Sequence, residues 1–310
     1  MGGDRFSVPF VSIVRKGWVN MLTCFKNRKI KNYMFMLPAL LIYLSVIVVP
    51  VFYSIYISLQ SGSGIGKTRF VGLANYLKVI EDPVFLTALK NNFIWIVLTV
   101  FLTTTVSLLL AVLLNTEFKG RTLFRAIFYF PCAVAPIAVA IIWRWMYDPN
   151  VGFFNEFFKL IGSGYRQQWL SSPAFALLAL FYASLWQAIG QPMILFLAGL
   201  QTVSGDVLEA ASIDGAKAIQ KFFFITLPLL KETLIMVLAT LLIAAMKVYD
   251  IVKGLTDGGP NNKTQMLSTY MYSQTFEYNN VGYGTTIAVI MVLLMLVVII
   301  PYIIFTAKED

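Results

Sequence analysis

Six long apolar runs decide what this chain can fold into. They lie at about 34–59, 91–115, 123–147, 174–200, 232–252 and 284–306, and each is long enough to cross a hydrocarbon core of about 30 Å as a helix. No water serves backbone polar groups in that core, so a spanning segment must close its hydrogen bonds within itself. The expected fold class is therefore all-α: a polytopic membrane protein with six transmembrane helices. Only 13% of the 310 residues are charged and 58% are hydrophobic, about half the charged fraction of an ordinary soluble domain. Pro131, Pro136 and Pro192 fall inside these runs. The carbonyls they free need neighbouring helices or side chains as partners, which argues for a packed bundle.

The net charge of +9 is placed between the apolar runs, where it orients the chain instead of recruiting nucleic acid. With the N-terminus inside, a clear majority of the 24 Lys and Arg fall in cytoplasmic segments, among them Lys119, Arg121, Lys217 and Lys221. Both termini are therefore expected in the cytoplasm. Residues 1–33 read as a basic cytoplasmic segment and 34–310 as the six-helix domain, with a cytoplasmic loop at about 201–231. The first run has no small-residue cleavage site and reads as a retained helix. Histidine is absent, which removes the commonest metal ligand and the commonest neutral-pH acid–base group, so no metal site and no catalytic residue is expected. Cys24 and Cys132 belong at different depths and make no disulfide.

Residues 61–68 read SGSGIGKT, one glycine short of a phosphate-binding loop. Ser61 stands where the first glycine belongs, the segment faces outward, and RFVGLANYLKVIEDPVF after it lacks the strand–loop–helix context that cradles phosphate. The stretch is expected to be a flexible turn, with any ATP handled by another chain.

GLQTVSGDVLEAASIDGAKAIQKFFFITLPLLKETL, between the fourth and fifth runs, is too apolar for a solvated linker and too broken for a span. Asp206 followed by Glu209 has capping-box spacing, which predicts a short helix from Val207. Gly215 would end it or admit a close neighbour, and Pro228 would mark a break before the fifth helix. An amphipathic helix lying on the inner leaflet would want a basic face. The acids here favour a docking element for a cytoplasmic protein.

Glu209-Ala210-Ala211, Asp214-Gly215-Ala216 and Ile225-Thr226-Leu227-Pro228 resemble the EAA loop of ABC importer permeases. Phe70-Val71-Gly72-Leu73-Ala74-Asn75-Tyr76, Leu255-Thr256-Asp257-Gly258-Gly259-Pro260, Phe276-Glu277-Tyr278 and Gly282-Tyr283-Gly284 are similar to the carbohydrate group of these permeases, the maltose and glycerol-phosphate type. The likeness runs from about residue 34 onward. It departs at Val203-Ser204-Gly205, which lacks a usual proline, and at Lys231, which replaces one. The resemblance implies a type I ABC importer permease fold in a bacterial or archaeal inner membrane. It also implies a second homologous permease subunit, two cytosolic ATPase subunits that hold ATP and Mg, and an extracytoplasmic substrate-binding protein. No cofactor is expected on this chain. Glu209, Ala210, Ala211, Asp214, Gly215, Ala216, Leu227 and Pro228 would form the ATPase-coupling loop.

Arg144, Lys247 and Asp250 lie at or near ends of the apolar runs, where an ionised group needs a partner or water. Lys247 and Asp250, three apart, are expected to share a helical face and pair. Trp186, Gln187, Gln191, Tyr249 and Asp250 offer a stacking ring beside amide and carboxylate groups, the chemistry a sugar needs in an apolar pocket. The sequence thus points to a permease subunit that carries a sugar, oligosaccharide or related polyol and performs no covalent chemistry. The alternative is an ion-coupled secondary transporter, for which an acidic docking loop has no use.

Overall fold

Helix caps and prolines, more than hydropathy, set where the elements of this chain begin and bend. The computed structural model describes residues 28–63 and 68–307. Cys24, with the rest of the basic segment up to residue 27, and Gly64, Ile65, Gly66 and Lys67 of SGSGIGKT lie outside the described residues. Two compact units divide the chain, Met1–Tyr56 and Ile57–Asp310.

Helix α1 runs through Arg28–Tyr43, a π turn at Leu44–Val48 and Val49–Ser58. Its part Phe35–Ser58 is apolar and long enough to cross a membrane.

The second unit opens with a short antiparallel ladder, β1 Gln60–Ser61 against β2 Arg69–Phe70, in register Gln60↔Phe70 and Ser61↔Arg69. Helix α2 (Ala74–Glu81) follows. Asn75 is buried beneath the ladder and donates to the Ser58 and Gln60 carbonyls at 2.9 and 2.8 Å. Helix α3 then runs as Pro83–Leu98, a π turn at Thr99–Thr103 and Thr104–Asn115. At 33 residues it is about 50 Å long.

Helix α3 starts eight positions before the expected residue 91. The cause is legible in Asp82-Pro83. The Asp82 carboxylate accepts from the Val84 and Phe85 amides at 2.8 and 3.4 Å, and Pro83 takes the first helical position, where its missing N–H costs nothing. Asp82 also accepts from the Tyr270 and Tyr283 hydroxyls. Burial pushes this carboxyl up, but those four hydrogen bonds outweigh it and hold the group below its ordinary value.

The third apolar run is two helices, α4 (Arg121–Ala133) and α5 (Pro136–Met146), bent by 103°. A single straight span over 123–147 is therefore incorrect. Pro136 forces Ala135 out of the helical region, to ψ 135°, and the break leaves the Val134 carbonyl without a helical partner. Gln187 Nε2 donates to it at 2.7 Å. Helix α6 (Phe153–Leu160) lies in the next connection. Helices α7 (Ala176–Ala188) and α8 (Gly190–Leu200) make the fourth span, bent by 44°. Helix α9 is Gly205–Ile213, and α10 is assembled from Ala218–Lys221, a π turn at Phe222–Thr226 and Leu227–Leu229. Helix α11 (Lys231–Met246) turns away from α10 by 71° at Leu230, two residues beyond Pro228, which sits inside α10. Helix α12 (Asp250–Leu255), α13 (Leu267–Tyr272 with a π turn at Ser273–Glu277) and α14 (Val281–Ala307) complete the order. Among the described residues, α1, α3 and α14 each contain an uninterrupted stretch able to cross a membrane. Counting each bent pair as one span gives six.

Three core clusters sit along α3. Phe85 and Ala88 pack with α2, α13 and α14. Trp95 packs with α5, α7 and α12. Ala111 and Leu114 pack with α8 and α11. Close approach is set by glycine: a Cβ on Gly190 would lie 2.9 Å from the Phe128 carbonyl oxygen and from Tyr129 Cα of α4. Gly190→Val is therefore expected to cost about 1–3 kcal/mol through overpacking. Gly205→Ala, which meets nothing within 4 Å, should be neutral or gain up to about 1 kcal/mol from helix propensity. Thermal unfolding of the two variants in detergent checks this. Equal midpoints would show that the α4–α8 contact is not tight.

Candidate functional site

The loop between the fourth and fifth spans folds into the helix–turn–helix α9–α10. Ser204, not Asp206, occupies the position before α9, with no side-chain cap bond, and Asp206 lies in the first turn. The expected Asp206–Glu209 capping box does not form. Asp206 acts instead on the exposed amides of the helix start through its charge. Gly215, at φ +82°, ends α9. The Ala216 amide reaches back to the Ala211 carbonyl at 2.9 Å and the Gly215 amide to Ser212 at 3.1 Å, the pattern that serves orphan carbonyls at a left-handed terminus. Lys221 Nζ donates to Ser212 Oγ at 2.9 Å across the turn, and Gln220 Oε1 accepts from the Lys217 amide at 2.8 Å to start α10.

Of the eight residues given to the coupling loop, Ala211 alone is buried. Glu209, Ala210, Asp214, Gly215 and Pro228 are exposed, and Ala216 and Leu227 are half-buried. A Cβ on Gly215 would meet nothing within 4 Å. Ile213 is 87% and Phe224 78% exposed. The sequence carries Ile213, Ile219, Phe223 and Phe224 plainly, yet their apolar display becomes legible only once the turn is drawn.

The five substrate-path candidates do not share the cavity that Trp186 lines. Trp186 lines a cavity of about 610 Å³ walled mainly by rings, while Gln187, Gln191, Tyr249 and Asp250 lie outside that wall. Gln187 gives an amide hydrogen to the α4–α5 break. Gln191 is exposed in the first turn of α8. Tyr249 packs on Tyr272 at 5.2 Å between ring centroids, and Tyr272 on Phe276 at 4.9 Å.

The expected Lys247–Asp250 pair is also corrected. Helix α11 stops at Met246 and α12 starts at Asp250, so the two residues share no helical face, and they form no ion pair among the described residues. Arg144 donates to the Gly254 carbonyl.

The ion cluster centres instead on Lys253, which nothing in the sequence singled out. Its ammonium lies 2.6 Å from Asp257, 2.5 Å from Glu277 and 5.6 Å from the centre of the Tyr272 ring. Two of the motifs quoted from the sequence, Asp257-Gly258-Gly259-Pro260 and Phe276-Glu277-Tyr278, thus meet on one side chain. A third tie comes from α3: Asn91 donates to the Lys263 and Gln265 carbonyls at 2.8 and 2.9 Å, and Asn92 accepts from the Leu267 amide at 2.7 Å.

The chain as a whole is similar to known proteins. The model of the family described as "Binding-protein-dependent transport system inner membrane component" matches residues 103–308. The chain belongs to that family. A probable ABC transporter permease protein of Pyrococcus horikoshii is 35% identical over 89% of this chain and 96% of its own length. The trehalose/maltose transport system permease protein MalF of Thermococcus litoralis is 35% identical over 91% and 96%. Among solved structures, a bacterial alginate ABC transporter in complex with alginate pentasaccharide-bound periplasmic protein matches with TM-score 0.79 at 21% identity, over 90% of this chain and 95% of that one. The fold is therefore that of an ABC importer permease, and this inner-membrane component carries the α9–α10 hairpin and the Lys253 cluster within the matched region.

The hydrogen bonds that Lys253 donates to Asp257 and then to Glu277 raise its pKa, and the one accepted by Glu277 lowers that carboxyl's. A depressed carboxyl contributes stability above its ordinary pKa and loses it as pH falls through the folded value. A raised ammonium contributes below its ordinary pKa and loses it as pH rises through the folded value. The cluster's contribution is thus expected to be flat from mildly acidic to mildly alkaline pH and to fall at both extremes. Lys253→Met should remove no more than about 1 kcal/mol at moderate salt, because the partners are half-exposed. Thermal unfolding against pH and salt measures it, and a variant with wild-type salt sensitivity would count against the cluster as a tie.

Proposed function

We propose that this chain is one permease subunit of an ABC importer for a sugar, oligosaccharide or related polyol. A second homologous permease subunit completes the pathway, and two cytosolic ATPase subunits hold ATP and Mg. An extracytoplasmic binding protein delivers the substrate. Both termini and the α9–α10 hairpin face the cytoplasm, and this chain makes and breaks no covalent bond. The observation that carries the proposal is the hairpin: a short helix closed by an exposed left-handed glycine, flanked by exposed apolar side chains, in a family of binding-protein-dependent transport components. The carbohydrate class is supported by the MalF relative, whose name specifies trehalose and maltose.

In this mechanism, ATP binding closes the ATPases on each other and carries α9 with them. The Gly215 turn and the Lys221–Ser212 bond hold α9 to α10, so the hairpin moves as a lever. The break at Leu230 passes its displacement to α11. Binding energy thereby selects between two arrangements of the bundle, and hydrolysis resets the choice. Trp186, Gln187, Gln191, Tyr249 and Asp250 remain the residues proposed to meet the sugar, and Gln187 also holds the α4–α5 break through its bond to Val134.

Co-purification of the ATPase with the chain tests the hairpin. Gly215→Ala adds a methyl to open space and should cost only the left-handed backbone penalty of about 1–2 kcal/mol, with the ATPase retained. Gly215→Trp and Glu209→Lys are expected to lose the ATPase or uncouple its hydrolysis from substrate, while the helices still insert. Normal co-purification and coupled hydrolysis in both would remove the hairpin from the coupling surface. For the pathway, alanine at Trp186, Gln191, Tyr249 or Asp250 should reduce uptake with basal hydrolysis intact. Normal uptake in all four would move the substrate path elsewhere.

A further inference from the structure

A polar pocket of about 280 Å³ lies among the β1–β2 ladder, α2, α13 and the start of α14. Its wall is a network of hydrogen bonds from separate elements. Asp82 accepts from the Tyr270 and Tyr283 hydroxyls and from the Val84 and Phe85 amides, so the acceptor sites of the carboxylate are filled. Gln274 Nε2 donates to the Tyr270 oxygen at 3.1 Å, and Asn280 Nδ2 to Gln274 Oε1 at 3.2 Å. Gly282 lets α14 come close to the ladder: a Cβ there would lie 1.9 Å from the Gln60 carbonyl oxygen. Ser61 and Gly62, the first two letters of SGSGIGKT, complete the wall.

The groups this network leaves open select the ligand. Asn75 is only 5% exposed and gives both amide hydrogens to the Ser58 and Gln60 carbonyls, which fixes its orientation, while its Oδ1 has no partner among the described residues. Asn280 Oδ1 is a second acceptor without a partner among those residues, supplied by a different element. Lys78 brings an ammonium that forms no ion pair among the described residues and can donate three times. The ligand must therefore give hydrogens to two amide oxygens and accept from an ammonium, and a set of hydroxyls does both. Charge points the same way. An anion would meet Lys78 but stand beside Asp82, a cation would find no open carboxylate, and the two formal charges of the wall cancel. An acyl chain would strand the Asn75 oxygen. A partner strand has little edge to join, since β1 and β2 are two residues each. A helix is about 10–12 Å wide, too thick for a cavity at the small end of the range of ligand sites, about 300–1,000 Å³. One sugar ring suits that size, and the Tyr270 and Tyr283 rings in the wall suit its apolar face.

We propose that this pocket is a second carbohydrate site, an outer subsite for one neutral sugar ring, with Lys78 donating to a ring hydroxyl and Asn75 and Asn280 accepting from others. It shares no residue with the five proposed for the path. The inference rests on the proposed function: with both termini in the cytoplasm, the pocket lies on the extracytoplasmic side, where the binding protein would release its sugar.

The test uses the assembled transporter without its binding protein, and the probes are maltose, trehalose and lactose at tens of millimolar. Trace acetylation of lysines is mapped by mass spectrometry, with the exposed Lys159 of α6 as the reference. At least one of the three sugars is expected to slow acetylation of Lys78 several-fold and to leave Lys159 unchanged, while inorganic phosphate slows neither. Asn280→Leu, at an exposed position, should abolish the shielding, and Asn280→Ser, which keeps an acceptor, should retain part of it. No shielding by any of the three, shielding by phosphate as strong as by sugar, or full shielding in Asn280→Leu would each overturn the site. Sugar-stimulated ATP hydrolysis and uptake by the complete importer are followed in parallel. Stimulation without shielding overturns the pocket and leaves the proposed function standing, whereas shielding without stimulation or uptake leaves the pocket standing and overturns the proposed function.

Discussion

The rest of this structure depends on the placement of one helix. Helix α3 is capped at its start by a carboxylate that serves four donors at once, and its 33 residues touch all three core clusters in turn. Phe85 and Ala88, Trp95, and Ala111 with Leu114 are successive footholds for otherwise separate groups of helices. Tertiary ties converge on it as well. Asn91 and Asn92 hold the loop that follows α12, and Ser107 donates to the Ile189 carbonyl at the bend between α7 and α8, at 3.0 Å. In a bilayer, where the apolar effect does not drive helices together, packing contacts and interhelical hydrogen bonds of this kind supply much of the association.

Breaks are the second organising element, and each has its own cause. The α4–α5 bend follows from Pro136 and the extended residue before it. The α7–α8 bend coincides with Gly190, where two backbones approach. The α10–α11 bend at Leu230 has no proline or glycine at its apex. It is preceded by a π turn at Phe222–Thr226 and by Pro228, which together shift the register of the chain before it turns.

Much of this was legible in the sequence, and the failures are instructive. Hydropathy located the three uninterrupted spans and the three bent pairs, and the glycine at 215 did end its helix. The start of α3 was missed because Lys90, Asn91 and Asn92 look like a helix boundary to a hydropathy window. Asn91 and Asn92 are instead drawn in by partners 172–175 positions away, and Asp82-Pro83 was the better signal. The Asp206–Glu209 spacing misled because a cap depends on backbone dihedrals, which Ser204 satisfies. Lys247 and Asp250 were paired by assuming a continuous helix, but the chain breaks between them. The motifs at 255–260 and 276–278 were visible as strings, yet their common function, holding Lys253 from two sides, exists only in three dimensions.

Gln187 shows how polar capacity is allotted inside such a bundle. A primary amide offers two donors and an oxygen with two lone pairs, and here one donor is spent on a carbonyl exposed by the chain's own bend. The bend and the fourth span are thereby latched through a single proton, so neither can rotate independently without leaving a carbonyl stranded in a poorly solvated interior. What remains on Gln187 is mainly acceptor capacity. A side chain of the same length without that N–H would leave the carbonyl of the bend stranded.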